Sequence, residues 1–171
     1  MRVFADLEFS LLTNDAELIS IGAISEDGAC FYMEVATLPT NCSAFVHAEV
    51  LPHLSRKDCA ITVQEIEFEF AAWLSQWVET KIVVDSEWDC FVLRKTFSLE
   101  NSFQPGVLRL KLRSGGWLDA EMTLDDAFEV FCFEAYLTAK RSIESAQGFR
   151  KHHALDDAKA LRAAVLAAEA A

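Results

Sequence analysis

Residues 3–35 read VFADLEFSLLTNDAELISIGAISEDGACFYMEV, and this stretch decides the fold. Three segments in it, Val3–Glu8, Leu18–Ser25 and Cys30–Val35, alternate apolar and polar residues or run apolar in the manner of β-strands. The tripeptide EDG at 26–28 supplies turn chemistry between the second segment and the third. The stretch therefore predicts a meander of three strands.

Strand and helix patterns alternate after the meander. Thr62 and Glu65 form a T-x-x-E capping box at the head of a helix, and Lys81–Val84 is a β-branched run that would end a fourth strand at Asp85. The other predicted elements are a helix through Trp88 and Lys95, a fifth strand at Val107–Leu112, a helix from about Thr123 to Lys140 and a last helix from about Leu155 to Ala168. This order predicts one α/β domain over residues 1–171, with a mixed sheet flanked by helices.

Composition limits the setting in which the chain works. Its five cysteines are odd in number and show no CxxC spacing, which favours a reducing compartment. Charged residues interrupt the apolar runs well short of the roughly 20 residues that a membrane span needs. We therefore expect a cytoplasmic protein that does not enter a membrane.

The net charge of −12 constrains any role with nucleic acid. Non-specific affinity for a phosphate backbone comes from Lys and Arg, so an acidic chain is a poor candidate for tracking along a duplex. A site that grips only the end of a strand through divalent cations tolerates an acidic exterior, because the ions supply local positive charge. Among nucleic-acid functions, the charge favours an end-acting enzyme.

Asp6 and Glu8 form a D-x-E pair in the first strand. Residues two apart in a strand point to the same face, so the two carboxylates lie together and Leu7 points to the other face. Both carboxylates can stay ionised only if a cation lies between them, since their repulsion otherwise raises one pKa. The pair is therefore a candidate set of metal ligands.

Two later segments offer further carboxylates. Asp89 lies one helical turn after Asp85, and it competes with Asp85 and Glu87 as a third ligand. In the last helix Asp157 lies about 60° from the apolar stripe, whereas Asp156 points almost away from it, by the helical step of about 100° per residue. Asp157 is therefore the better inward ligand, and Asp156 suits the solvated first turn.

His152 precedes the last helix on a predicted loop, and the adjacent His153 competes with it as the base that activates a water molecule. Four carboxylates with one histidine suit phosphodiester hydrolysis by two hard cations about 3.5 to 4 Å apart. Oxygen-rich ligation favours Mg²⁺ or Mn²⁺ over Zn²⁺. The predicted site is a two-metal nuclease centre with His152 as general base and with Asp6, Glu8, Asp89 and Asp157 as ligands.

The combination of motifs resembles the DEDDh group of 3′–5′ exonucleases, and most closely the small RNase T-like exoribonucleases. The segments FADLEFS, ELISIGAISEDG, VVDSEWDCFVL and HHALDDAKAL carry the resemblance, which covers almost the full length. It implies a ribonuclease H-like fold with a mixed five-stranded sheet, in which three antiparallel strands are followed by two that run parallel to the first. It also implies two Mg²⁺ or Mn²⁺ ions and hydrolysis of single-stranded RNA from its 3′ end to nucleoside 5′-monophosphates.

The resemblance further implies substrate contacts beside the first two motifs. Leu7, Phe9 and Leu12 would lie near the terminal base, where base–aromatic stacking contributes roughly 1 to 3 kcal/mol. Asp85 would position the substrate, although many relatives carry Asn there, and Ser10 stands where Thr is common.

Other functions compete with this prediction. DNA or a short oligonucleotide could replace RNA, since contacts to the 2′-hydroxyl are not legible from the sequence. The chain could instead be a non-catalytic nucleic-acid or protein-binding module on the same fold, or a homodimer in which basic residues of one subunit serve the other. Arg109, Lys111 and Arg113 form a ladder that could guide a phosphate backbone, but a solvated strand face accounts for it better.

Overall fold

The computed structural model describes residues 1–57, 59–78, 80–84, 86–97, 107–111, 117–122 and 133–170. Over these residues the chain forms a seven-stranded mixed sheet with helices on both faces. The strands are β1 (Arg2–Phe9), β2 (Leu18–Ser25), β3 (Cys30–Val35), β4 (Ala60–Ile61), β5 (Thr80–Val83), β6 (Val107–Lys111) and β7 (Trp117–Met122). The α-helices are α1 (Val63–Leu74), α2 (Glu87–Thr96), α3 (Phe133–Glu144) and α4 (Ala154–Glu169), and a π-helical turn (Val46–Val50) and a 3-10 turn (Leu51–His53) lie between β3 and β4.

The sheet has the strand order β4-β3-β2-β1-β5-β7-β6. The predicted meander is confirmed, because β2 pairs antiparallel with both β1 and β3. On the other side of β1, strand β5 runs parallel to β1 and β7 runs parallel to β5. All five predicted strands are present, and the described residues add β4 and β7.

The predicted direction of the fifth strand is wrong. The segment expected as Val107–Leu112 forms β6, which pairs antiparallel with β7 and lies at the edge of the sheet. The place of the second parallel strand is taken by β7. A pair of glycines at 115 and 116 separates the two strands in the sequence, and such a pair is typical of a hairpin turn.

Strand β1 contributes side chains to both faces of the sheet. Val3, Ala5 and Leu7 lie in the main core, the cluster that also contains buried residues of α1 and α2. Phe4 lies in a second cluster with Ala158, Leu161 and Val165, the predicted inner face of α4. Because side chains alternate along a strand, Asp6 and Glu8 share the α4 face with Phe4.

The helices begin largely where the sequence predicts. The Thr62 hydroxyl and the Glu65 carboxylate form the expected capping box of α1, and the Ser86 hydroxyl accepts a hydrogen bond from the Trp88 N–H at the head of α2. Helix α4 extends the predicted range by one residue at each end. Helix α3 continues to Glu144, past the expected end, and its predicted start lies outside the described residues.

Arg2 joins the two ends of the described chain. Its guanidinium pairs with Glu26, in the turn after β2, and with Glu169, the last residue of α4. None of the described helices is both long enough and apolar enough to cross a lipid bilayer. The described cysteines, Cys30, Cys42, Cys59 and Cys90, are free thiols, whereas Cys132, Arg113 and the side chains of Arg109 and Lys111 lie outside the described part of the chain.

Candidate metal centre

The first turn of α4 lies directly on β2 at Gly22. A Cβ atom at Gly22 would lie 2.1 Å from the backbone nitrogen of Leu155 and 2.2 Å from the carbonyl carbon of Ala154. Only glycine allows the backbone of a helix to approach a strand this closely. Gly22 is the register partner of Asp6 in β1, so the close approach brings the start of α4 next to the acidic pair.

Glu8, His152 and Asp157 meet at this place. One ligand atom of each residue lies within 4.8 Å of a ligand atom of each of the other two. The three residues come from β1, from the turn before α4 and from the first turn of α4. Three of the five predicted site residues are therefore gathered into one cluster, which we call the central cluster.

Asp89 approaches β1 from helix α2. It is 3% exposed, and its Oδ1 accepts a hydrogen bond of 3.0 Å from the Leu7 N–H. The pairing of β1 with β5 involves Arg2–Phe4 of β1, so Asp89 supplies an acceptor to the part of β1 beyond that pairing. Asp89 is close enough to raise the pKa of Glu8 but lies outside the central cluster.

The other predicted carboxylates flank the central cluster or lie outside the described residues. Asp6 is half-buried and shares its sheet face with Glu8, but it is not a member of the cluster. Asp85 and the side chain of Glu87, the competitors of Asp89, belong to the part of the chain that is not described. Asp6 and Asp89 therefore stay predicted ligands beside the three gathered residues.

Glu8 carries the strongest electrostatic signal of the site. Burial raises its pKa to about 8, and the nearby charges of Asp157 and Asp89 raise it further toward that value. Glu8 is 9% exposed. A carboxylate that is buried beside like charges holds its own charge at neutral pH only with help from a cation. The central cluster thus has the electrostatics of a cation-binding site.

The two adjacent histidines point to different places. His152 has a positive φ of 63° and its ring meets the ring of Phe45 edge-on, with 4.9 Å between the centroids. His153 is 4% exposed and stacks on Tyr32 at 4.5 Å between the ring centroids. The structure therefore brings His152, and not His153, to the carboxylates.

The conformation of His152 is costly for a residue with a side chain. Left-handed backbone conformations of residues other than glycine cost on the order of 1 to 3 kcal/mol and persist where the surroundings fix them. Burial lowers the pKa of His152, and Lys151 lowers it further, so the imidazole is neutral at neutral pH. A neutral imidazole beside two carboxylates can accept a proton or bind a metal ion.

A buried polar network supports the start of α4. The Tyr32 hydroxyl donates a hydrogen bond of 2.8 Å to Glu34, a fully buried residue whose carboxylate also accepts the backbone N–H of Ser55 at 2.6 Å. The Tyr32 ring carries His153, and Arg150 contacts the His153 Nδ1 at 3.3 Å. The network fixes the residue that stands between His152 and the helix.

Asp156 lies outside the central cluster, as the helical wheel predicts, but it is not solvated. Its carboxylate pairs with Arg150 at 2.8 Å and Lys159 at 3.5 Å, and its side chain is 14% exposed. Burial alone would raise the pKa of Asp156, but the hydrogen bond from Arg150 outweighs burial and lowers it. The expectation of a solvent-facing Asp156 is therefore wrong, because basic neighbours cover it.

The predicted substrate contacts differ in how accessible they are. Leu12 is 65% exposed in the loop after β1 and is free to meet a ligand. Phe9 is half-buried and packs against the main core. Leu7 is 3% exposed within that core, so its side chain has a packing role and its prediction as a substrate contact is not supported. Asp85 lies outside the described residues.

Several residues that build the site were not singled out from the sequence. They are Gly22, Tyr32, Phe45 and Arg150. An isolated glycine inside the apolar strand LISIGAIS is a signal of close backbone approach, so Gly22 could have been found. The other three depend on strand register and on the turn at His152, which residue patterns do not reveal.

Comparison with known proteins adds no relative to this picture. A scan of the sequence against models of protein families finds no match, and a search among curated proteins finds none either. The function has to be argued from the residues of the site.

Proposed function

We propose that this chain is a divalent-metal-dependent 3′–5′ exonuclease that hydrolyses single-stranded RNA to nucleoside 5′-monophosphates. The observation that carries the proposal is the convergence of Glu8, His152 and Asp157 within 4.8 Å from opposite ends of the described chain. These residues hold the expected places in the D-x-E and H-x4-D motifs of the DEDDh exonucleases, which the chain resembles. The convergence is what the resemblance requires of the fold.

The sheet supports a ribonuclease H-like fold for the same proposal. Three antiparallel strands, β3, β2 and β1, are followed in space by β5 and β7, which run parallel to β1. The resemblance implies this arrangement. The first acidic motif lies on the central strand of the five, with α2 and α4 bringing later motifs to it.

The donor set fits a pair of hard divalent cations. Carboxylate oxygens dominate it, and Glu8 is buried among like charges that a cation would relieve. Asp6, Glu8, Asp89 and Asp157 would hold two Mg²⁺ or Mn²⁺ ions. When bound, such ions supply water activation and stabilise charge on the leaving oxygen.

His152 acts as the general base in this proposal. Because burial lowers its pKa, the imidazole is neutral at pH 7 and can accept the proton of the attacking water. The left-handed turn and the edge-on contact with Phe45 hold its ring at the cluster. Leu12, exposed in the loop after β1, is the residue available to meet the terminal base.

Two neighbouring aspartates provide the test of the proposal. The full chain would be incubated with 5′-labelled single-stranded RNA and with DNA of the same sequence, in Mn²⁺ and in EDTA. We expect stepwise shortening from the 3′ end with release of nucleoside 5′-monophosphates. Asp157→Asn should abolish turnover because it removes a cluster carboxylate, whereas Asp156→Asn should stay active because Asp156 pairs with Arg150 and Lys159 outside the cluster.

Three results would count against the proposal as stated. Undiminished activity in EDTA would remove the metal mechanism, and full activity of Asp157→Asn would remove the site. Faster cleavage of DNA than of RNA would leave the mechanism standing and replace the substrate. Absence of any cleavage, with Mn²⁺ present and the protein folded, would favour a non-catalytic binding module.

A further inference from the structure

We propose that the central cluster also binds a single Zn²⁺ ion through Glu8, His152 and Asp157, and that this ion holds the protein in an inactive state. The ion site rests on the geometry of the cluster. The inactive state rests on the proposed nuclease function, in which His152 must be free to accept a proton.

The distances of the cluster suit one shared ion. Its three ligand atoms lie within 4.8 Å of one another, and ligands at about 2.0 to 2.2 Å around a tetrahedral Zn²⁺ lie about 3.3 Å apart. Rotation about the side-chain bonds of Glu8 and Asp157 is enough to close this difference. The His152 ring needs no search, because its backbone turn and Phe45 already hold it beside the carboxylates.

The chemistry of the cluster differs from that of the wider acidic site. One imidazole with two carboxylates provides three protein ligands and leaves a fourth position open, a common zinc arrangement. Mg²⁺ prefers oxygen ligands and keeps its waters, whereas imidazole suits Zn²⁺, which also binds more tightly than Mn²⁺ at a given nitrogen and oxygen site. The sequence predicts oxygen-rich ligation with the histidine acting as a base; the structure brings that histidine within reach of a shared ion.

Occupancy by Zn²⁺ would exclude catalysis for two reasons. The imidazole nitrogen that binds the ion cannot accept a proton from water. Glu8 and Asp157 would also be unavailable to the Mg²⁺ or Mn²⁺ pair, so the two metal modes compete for the same side chains. Zn²⁺ is therefore expected to inhibit even when Mn²⁺ is present in excess.

Calorimetric titration of Zn²⁺ into the full metal-free chain tests the ion site without any measurement of activity. His152→Asn removes the imidazole while keeping a residue that tolerates a left-handed φ. Because even outer partners of metal ligands cost about 10- to 100-fold in metal affinity, loss of a direct ligand should weaken Zn²⁺ binding at least about tenfold. His47→Asn is the matched control, since His47 is exposed and lies outside the cluster.

Two further measurements protect the test from false readings. Asp157→Asn should weaken Zn²⁺ binding as well, whereas binding at a thiol such as the exposed Cys30 would be insensitive to both cluster substitutions. Mn²⁺ binding, followed by electron paramagnetic resonance, should change much less in His152→Asn than Zn²⁺ binding does. Circular dichroism checks the fold, and His152→Gly, which relaxes the positive φ, replaces His152→Asn if the latter fails to fold.

The outcomes separate the inference from the proposed function. Zn²⁺ affinity that is unchanged in His152→Asn, or equally reduced in His47→Asn, overturns the ion site even if the wild type cleaves RNA. Zn²⁺ binding that needs His152 in a chain without nuclease activity supports the site and overturns the proposed function. Zn²⁺ binding through His152 that leaves Mn²⁺-dependent cleavage unaffected overturns the inactive state.

Discussion

Glu8 is the residue at which folding and the proposed chemistry oppose each other. It is 9% exposed, and burial together with Asp157 and Asp89 raises its pKa to about 8. Close by, His152 keeps a left-handed backbone. Both features cost folding free energy, and both are what a metal site with an adjacent base requires.

This opposition predicts a pH-dependent gain in stability for Glu8→Gln. The pKa of Glu8 is higher in the folded state than its ordinary 4.5, so between those values the folded state holds a proton that the unfolded state has released. Stability of the metal-free protein therefore falls as pH rises through this window, and the full penalty is present above about pH 8. Gln carries no charge, so the variant should melt higher at about pH 9, with each kcal/mol gained worth about 2 to 4 °C.

The gain should shrink as the pH is lowered toward 5 and should reverse with metal. Mn²⁺ binds the folded wild type and stabilises it by mass action, an effect that the variant should lack. Glu69→Gln, the same chemical change at an exposed position of α1, should shift the melting temperature equally at both pH values. A metal-free Glu8→Gln protein no more stable than wild type at high pH would refute the electrostatic account of the site.

Individual site residues differ in how far the sequence determines them. Asp157 could be separated from Asp156 because the helical period is readable from the apolar residues around them. His152 could not be separated from His153, since the choice depends on the positive φ of His152 and on the Tyr32 ring. Both are properties of the folded backbone and its register.

At the scale of elements, the seat of α4 on β2 determines whether the site exists. Gly22→Ala should therefore damage the site as well as the fold, because its Cβ would lie 2.1 Å from the Leu155 nitrogen and would force α4 away from β1. We expect a lower melting temperature and loss of Mn²⁺ affinity in the folded variant. Calorimetry and titration on the same sample measure both.

Gly28→Ala is the control for this substitution. Gly28 has a φ of 97°, so alanine there is strained, but nothing lies within 4 Å of the added Cβ. It should destabilise the hairpin and leave Mn²⁺ affinity at the wild-type value. Equal Mn²⁺ affinity in the two variants would show that the close approach at Gly22 does not position the site.

The elements themselves were mostly legible. Strand alternation, the EDG turn and the Thr62 capping box are local signals, and each element that they predict is present. The direction of β6 was not legible, because it depends on pairing with β7. Strand β4 is two residues long and offers no pattern to read.

At the scale of the whole molecule, the net charge of −12 sets how nucleic acid can bind. Proteins that make 6 to 10 phosphate contacts lose roughly 10³ to 10⁵ in affinity between 50 and 200 mM salt. An acidic protein that holds a strand end through metal ions should lose much less, so kcat/KM on single-stranded RNA should fall by less than about tenfold over that range. Initial rates at several salt concentrations measure this.

A blunt duplex of the same sequence is the comparison substrate. It should be cleaved poorly at all salt concentrations, since the exterior offers little to hold its backbone. A steep salt dependence, or equal cleavage of duplex and single strand, would show that a basic surface contributes to binding. Arg109, Lys111 and Arg113, predicted to form a ladder on one strand face, would then be the first residues to substitute.

The central cluster also has a temporal consequence. Glu8 emerges early from the ribosome and Asp157 late, and the helix that brings Asp157 to Gly22 docks only after nearly all of the sheet has been made. A nascent chain surrounded by ribosomal and messenger RNA would therefore carry no competent cleavage centre. Proteolysis or premature termination ahead of residue 152 would leave the same inert product, so loss of one terminal segment would be enough to disarm the molecule.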